Sequence, residues 1–143
     1  MRLGGNQKVD LISKVPLFER LSKRDLERIA GVADEIDLNE GKELTREGEP
    51  GREFFVLLEG TAAVTQGGER VNDLAAGDFF GEIALISDGP RTATVTATTP
   101  VRTLVVTRRS FQRLVDEVPE IQRNVLAAAA ERLNPNLSRE APR

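Results

Sequence analysis

The sequence predicts a mainly β fold, a jelly-roll-like β-barrel flanked by helices, and three observations carry that prediction. From Glu35 onward glycines recur at short intervals, at Gly41, Gly48, Gly51, Gly60, Gly67, Gly68, Gly77 and Gly81, as short strands joined by tight turns require. Phe54 to Leu58 is an unbroken apolar run suited to a strand buried on both faces, while Thr92 to Thr98 alternates hydroxyl and small apolar side chains, as a strand with one wet face does. Helical periodicity is confined to the stretches before and after this region, with no long helix between the strands.

Taken in order, Val9, Leu11, Ile12 and Val15 predict a short amphipathic helix that Pro16 interrupts. Ser22 caps a second helix, with Asp25 in the reciprocal position and Leu26, Ile29, Ala30 and Ala33 on one face. The simplest role for both is packing against a sheet. Thr61 to Gln66 is a strand running into Gly67-Gly68, a natural hairpin turn. Arg102 to Val106 forms another, and Thr107 caps a helix marked by Phe111, Leu114 and Val115. Pro119 ends that helix and opens the last one, which runs through Glu120 to Leu133 before Asn134-Pro135 stops it.

Composition limits the function. With 143 residues and 39% hydrophobic content the chain suits one domain with a single core. Its net charge of -3 is wrong for a general polyanion binder, so nucleic acid is not expected as a partner. The absence of cysteine and histidine removes disulfides, Cys/His zinc sites, cysteine nucleophiles and a Ser-His-Asp triad, and no metal or other cofactor is expected. No apolar run approaches the roughly 20 residues of a membrane span, and the N-terminus lacks the apolar centre of a secretory signal; a cytoplasmic protein without membrane insertion is the expectation.

Chemistry concentrates in the stretch from Phe79 to Val95, where glycines, one acid and one arginine interrupt an apolar run. Gly77 and Gly81 free the backbone for close approach, and Gly81 to Leu85 can form one helical turn whose N–H groups face a negative group. Arg91 supplies a planar countercharge for two phosphate oxygens. Glu82, which only accepts hydrogen bonds when ionised, suits a sugar diol beside that phosphate. Phosphate beside ribose describes a nucleotide.

The string F-G-E-I-A-L-x-x-x-x-P-R-T-A-T-V closely resembles the phosphate-binding cassette of the cyclic nucleotide-binding domain family, which includes catabolite activator proteins, regulatory subunits of cAMP-dependent kinase and cyclic-nucleotide-gated channels. Glu47-Gly48 with Phe54 to Gly60, Leu17-Phe18 with Leu21-Ser22, and Gly77-Asp78 resemble three further motifs of the family in the right order, so the likeness extends over roughly Val9 to Leu133. It implies the jelly roll, a double-stranded β-helix, and a regulatory module that binds cAMP, or alternatively cGMP, and moves a C-terminal helical lid. The implied organisation is a single domain over 1–143, with helices over 9–36, the barrel over 37–107, the cassette at 79–95, hinge and lid helices over 108–134 and a disordered tail from 135. The implied ligand contacts are Phe80, Gly81, Glu82, Ile83, Ala84, Arg91 and Thr92 in the cassette, Val64, Val71 and Leu74 as walls for the base, and Arg132 with Leu133 as its cap. The expected partners are the nucleotide, an unidentified protein effector or fused domain, and a second copy in a homodimer.

Each residue also has a plainer reading. Arg91 pairs with Asp88 as a surface arginine, Glu82 caps the short helix or pairs with Arg91 in the empty protein, and Thr92 is one more strand threonine. Val64, Val71 and Leu74 are equally plain core. Arg132 is an exposed helix arginine, at a position where the catabolite activators carry hydroxyl residues, which sets their mode of base recognition apart. Competing functions are a protein-interaction scaffold with a non-binding pocket and a metal-dependent barrel enzyme. The second needs histidines this chain lacks. DNA binding of the transcriptional kind would need a helix-turn-helix after this domain. The alanines at 127–130 bury little area, so the last helix is expected to dock weakly and to swing about Pro119.

Overall fold

The computed structural model describes residues 5–81 and 89–133. Helix α1 (Gly5–Ser13), a 3-10 turn (Pro16–Phe18) and helix α2 (Lys23–Val32) precede the strands. Pro16 opens the turn, and the Ser22 hydroxyl accepts from Asp25 N at 3.1 Å, so the predicted cap forms. The Asp25 carboxylate lies 3.9 Å from Arg28.

Among the described residues eight strands follow: β1 (Asp34–Leu38), β2 (Glu43–Thr45), β3 (Glu53–Glu59), β4 (Ala62–Gln66), β5 (Glu69–Leu74), β6 (Phe79–Phe80), β7 (Thr94–Ala97) and β8 (Val101–Thr107). They make two four-stranded sheets, β1-β8-β3-β6 and β2-β7-β4-β5, with every pairing antiparallel. The first strand begins at Asp34, before the expected boundary of helices at 36. The strand expected over Thr92 to Thr98 is shorter at both ends, because the Thr92 carbonyl is taken by the Gln66 side chain and Thr98 N bonds Thr61 O. Gly67 and Gly68, at φ 60° and 83°, turn β4 into β5; only a primed turn needs both angles positive, and glycine adopts it freely.

The expected single core is two clusters on opposite faces of β3 and β8. Phe55, Leu57, Val101 and Val105 point at Ala62, Leu74, Val95 and Ala97 of the second sheet. Phe54, Val56, Leu58, Leu104 and Val106 point the other way, into Ile12, Leu17, Phe18, Ile29, Phe111, Leu114, Ile121 and Val125 of the helices. This two-sided burial is why β3 is apolar without alternation.

Helix α3 (Arg108–Glu117) is capped by Thr107, whose hydroxyl accepts from Ser110 N at 3.2 Å, and its Phe111 stacks on Phe54 with ring centroids 4.6 Å apart. Helix α4 (Pro119–Leu133) follows at once. Its first turns are firmly seated, because Val118, Ile121 and Val125 are buried and Asn124 Nδ2 donates to Leu17 O at 2.8 Å. Leu126, the next residue along, is 51% accessible. A swing at Pro119 would tear Ile121 and Val125 from the core at roughly 1.5–3 kcal/mol each, so the first half of α4 is not weakly held. The tail expected to be disordered from 135 lies outside the described residues.

Candidate functional site

The site is assembled where β6 meets β3 and where the segment carrying Arg91 meets the loop before β3. Phe80 pairs with Phe55 and Phe79 with Val56, and the Phe55 and Phe80 rings stack 4.8 Å apart at 6°. A tight turn delivers β6 to this position: Asp78 N donates to Ala75 O at 3.0 Å and Ala75 N to the Asp78 carboxylate at 2.8 Å. Gly77 N in turn bonds Leu57 O at 2.8 Å. Gly81 leaves the strand at φ 96°, a conformation that side chains with a Cβ rarely adopt.

Arg91 is fixed from both sides. Its N–H donates to Glu49 O at 2.7 Å, its carbonyl accepts from Gly48 N at 2.9 Å, and Pro90 bridges Pro50. The side chain is buried, with Nη1 donating to Gly81 O at 3.1 Å and Nη2 to Glu53 O at 2.5 Å. The guanidinium carbon stands 5.7 Å from the centroid of the Phe55 ring, within cation–π range. Burial removes the surface-arginine reading. What remains is a planar cation held in one orientation, so that an anion meeting it costs little further ordering.

Thr92 is exposed, and its carbonyl accepts from Gln66 Nε2 at 3.0 Å. The hairpin tip that carries Gln66 is itself tied down, because Gly67 N donates to the Glu47 carboxylate at 3.0 Å while Glu47 N donates to Thr94 Oγ1 at 2.9 Å.

The proposed walls for the base divide. Leu74 is buried in the cluster between the sheets and Val64 packs partly buried against it. Val71 is 52% exposed, which excludes it from the core. It is the extra residue where the register passes from Val64↔Asn72 to Thr65↔Arg70. Glu82, Ile83, Ala84, Asp88 and the helical turn expected at 81–85 fall outside the described residues beyond Gly81. Arg132 and Leu133 end α4, and their side chains are likewise outside.

Sequence reasoning placed Glu47 and Phe55 in motifs and Gln66 in a strand, but assigned none of them, nor Glu53, to the site. Glu53 acts through its backbone carbonyl, which leaves no side-chain signal. Gln66 and Glu47 stand beside glycine turns, where a side chain that reaches backbone is a recognisable pattern. Among the described residues no group of three or more acids could hold a metal ion, and no helix is long and apolar enough to cross a membrane.

Two packed antiparallel sheets with helices at both ends, carrying a buried arginine against a glycine turn, define a jelly-roll ligand-binding module. The chain belongs to the cyclic nucleotide-binding domain family, whose description matches residues 35–118. A cAMP-dependent protein kinase regulatory subunit of Colletotrichum orbiculare is 36% identical over 116 residues, covering 80% of this chain and 30% of that protein. The regulatory domain of Toxoplasma gondii PKA, solved with cAMP, is 27% identical with a TM-score of 0.81 over 89% of this chain and 50% of that one. The regulatory subunit of a cAMP-independent protein kinase A from Trypanosoma brucei reaches the same TM-score, 0.81, at 20% identity over 93% of this chain and 47% of that one, and speaks to the fold alone. The chain spans 25–33% of the length of the curated relatives it matches.

Proposed function

We propose that this chain is a cytoplasmic regulatory module of one domain that binds cAMP, with cGMP as the alternative ligand, and signals through its C-terminal helix to a protein partner. It is not itself catalytic. The observation that carries the reading is Arg91, a buried guanidinium held by Gly81 O and Glu53 O over the Phe55 ring. In this reading Arg91 faces the cyclic phosphate, with N–H groups of the turn that starts at Gly81, those of Ile83 and Ala84 among them, around the same oxygens and Phe80 beside them. Glu82 accepts from the ribose 2′-hydroxyl. Thr92, whose hydroxyl has no partner among the described residues, contacts the phosphate or the base. Val64, Val71 and Leu74 form the apolar wall, and Leu133 with the stem of Arg132 closes over the purine. The exposure of Val71 supports this, since a base laid against it would remove apolar surface from water.

The test compares cAMP with its 2′-deoxy analogue. A charge-assisted hydrogen bond is worth about 1.5 to 3 kcal/mol, so the analogue should bind roughly tenfold to a hundredfold more weakly. Glu82→Gln should narrow that gap. Equal losses for both ligands would remove Glu82 from the ribose.

A further inference from the structure

We infer that Gln66 is a positioning residue of the ligand site, one that sets where Thr92 points, and that Glu47 is its anchor. The inference rests on the nucleotide reading above, in which Thr92 touches the phosphate or the base. On β4, Ala62 and Val64 share the inward face that packs with Leu74 and Val95, and by the period of two Gln66 is the next position in that row. Exposure grows along the row: Ala62 is fully buried, Val64 is half-buried and Gln66 is exposed. Gln66 therefore stands at the open end of the space between the sheets, next along from a residue assigned to the base.

The bond that links it to Thr92 lies beyond the last rung of the sheet. Strands β4 and β7 pair as far as Thr65↔Thr94, and past that point Gln66 Nε2, not a backbone N–H, reaches Thr92 O at 3.0 Å. A carbonyl can only accept, so the amide turns its NH2 end to Thr92. An exposed bond of this kind adds little stability, because water takes its place when it is lost. What it adds is direction. The carbonyls of residues 91–93 are each held by a different neighbour: Arg91 O by Gly48 N at 2.9 Å, Thr92 O by Gln66, and Ala93 O by the Thr45 hydroxyl at 3.1 Å. Removing the middle one frees the Thr92 peptide while Arg91 stays fixed beside it.

Glu47 closes the arrangement into a ring. Gly67 N donates to the Glu47 carboxylate at 3.0 Å and Glu47 N to Thr94 Oγ1 at 2.9 Å, so a path that leaves Thr92 through Gln66 returns to Thr94 through Glu47. A hairpin tip without such a tie opens easily and would carry Gln66 away with it. The same short loop holds Arg91, since Gly48 N and Glu49 O bond its backbone. Residues 47–49 thus fix the arginine directly and the threonine through the hairpin, which sets both on one frame.

The experiment uses the full chain and two readouts. In the ligand-free protein the NMR order parameter of the Ala93 amide, which shares a peptide plane with the Thr92 carbonyl, should fall in Gln66→Met and in Glu47→Ala. Gln66→Lys, which still donates, should keep it high. Isothermal titration with cAMP then follows a double-mutant cycle. Gln66→Met should weaken binding about fivefold beside the native Thr92 and less than about twofold in the Thr92→Val background, because its effect runs through that hydroxyl. Gln66 is exposed, so Gln66→Met should melt as wild type does. Equal losses in both backgrounds, or an unmoved Ala93 amide, would overturn the inference and leave the nucleotide reading standing. No binding of cAMP by wild type would remove that reading, and this inference with it.

Discussion

The Gly81 carbonyl accepts a hydrogen bond from Arg91 Nη1 at 3.1 Å, and a Cβ built at Gly81 would stand 2.7 Å from that same nitrogen and 2.8 Å from Glu53 O. The glycine therefore does two things for the arginine: it offers the carbonyl and it leaves the space. Gly81→Ala should destabilise the fold by roughly 1 to 3 kcal/mol through backbone strain, and should weaken cAMP at least tenfold by displacing the guanidinium. Gly31 of α2 is the internal contrast, since nothing lies within 4 Å of its would-be Cβ. Gly31→Ala should stabilise by about 0.5 to 1 kcal/mol on helix propensity. Urea unfolding of the two variants checks both signs, and a neutral Gly81→Ala would contradict the close packing.

Arg91→Lys should keep the charge yet lose much of the fixed orientation. One ammonium cannot reproduce a planar fork spanning Gly81 O and Glu53 O. The expected outcome is a folded protein, less stable by about 1 to 3 kcal/mol for a buried carbonyl left without its donor. Thermal and urea melts measure this; a variant as stable as wild type would mean that the two carbonyl bonds contribute nothing.

The last helix should respond to ligand in its second half only. Ile121 and Val125 are each 1% exposed and Asn124 is bonded to the 3-10 turn, whereas Leu126 is open. Hydrogen exchange across 119–125 should be slow with or without cAMP, and protection should rise across 126–133 when ligand is added. A change spread evenly from Pro119 would restore the proline as the hinge.

Arg102 joins three carboxylates: Asp37 at 3.0 Å, Glu35 at 3.4 Å and Glu59 at 3.8 Å. The hydrogen bond to Asp37 raises its pKa above the ordinary arginine value against the desolvation that would lower it, with Asp37, Glu59 and Glu35 charges adding to the rise, so it stays ionised. The Glu35 side chain is only 5% exposed. Arg102→Met should therefore destabilise the fold, since it leaves the Glu35 carboxylate without this countercharge. Adding Glu35→Gln should recover part of that loss in a double-mutant cycle; additive losses would show that the pair is not coupled.

Much of this was legible in the sequence, and the reasons are specific. Ser22 and Thr107 announce helix starts because their hydroxyls bond backbone three residues on, and Gly67-Gly68 announces a hairpin because its turn needs two positive φ angles. Phe54 to Leu58 foretold a strand buried twice, but not that its two faces would divide the interior into two clusters, since periodicity is silent on what lies opposite. The alanines drew attention away from Ile121 and Val125, whose four-residue spacing is the docking signal in α4. At the site, Arg91 stood out by its charge. Its holders, Gly81 O and Glu53 O, are backbone atoms whose partners depend on strand register and not on residue type.

Isothermal titration with cAMP tests most directly whether Arg91 holds the phosphate of a cyclic nucleotide. Wild type should bind, Arg91→Lys should bind more weakly, and Arg91→Ala should lose roughly a hundredfold to several thousandfold in affinity, the equivalent of about 3 to 5 kcal/mol for an uncompensated buried charge. No heat with wild type, or a loss of less than about tenfold in a folded Arg91→Ala, would contradict it.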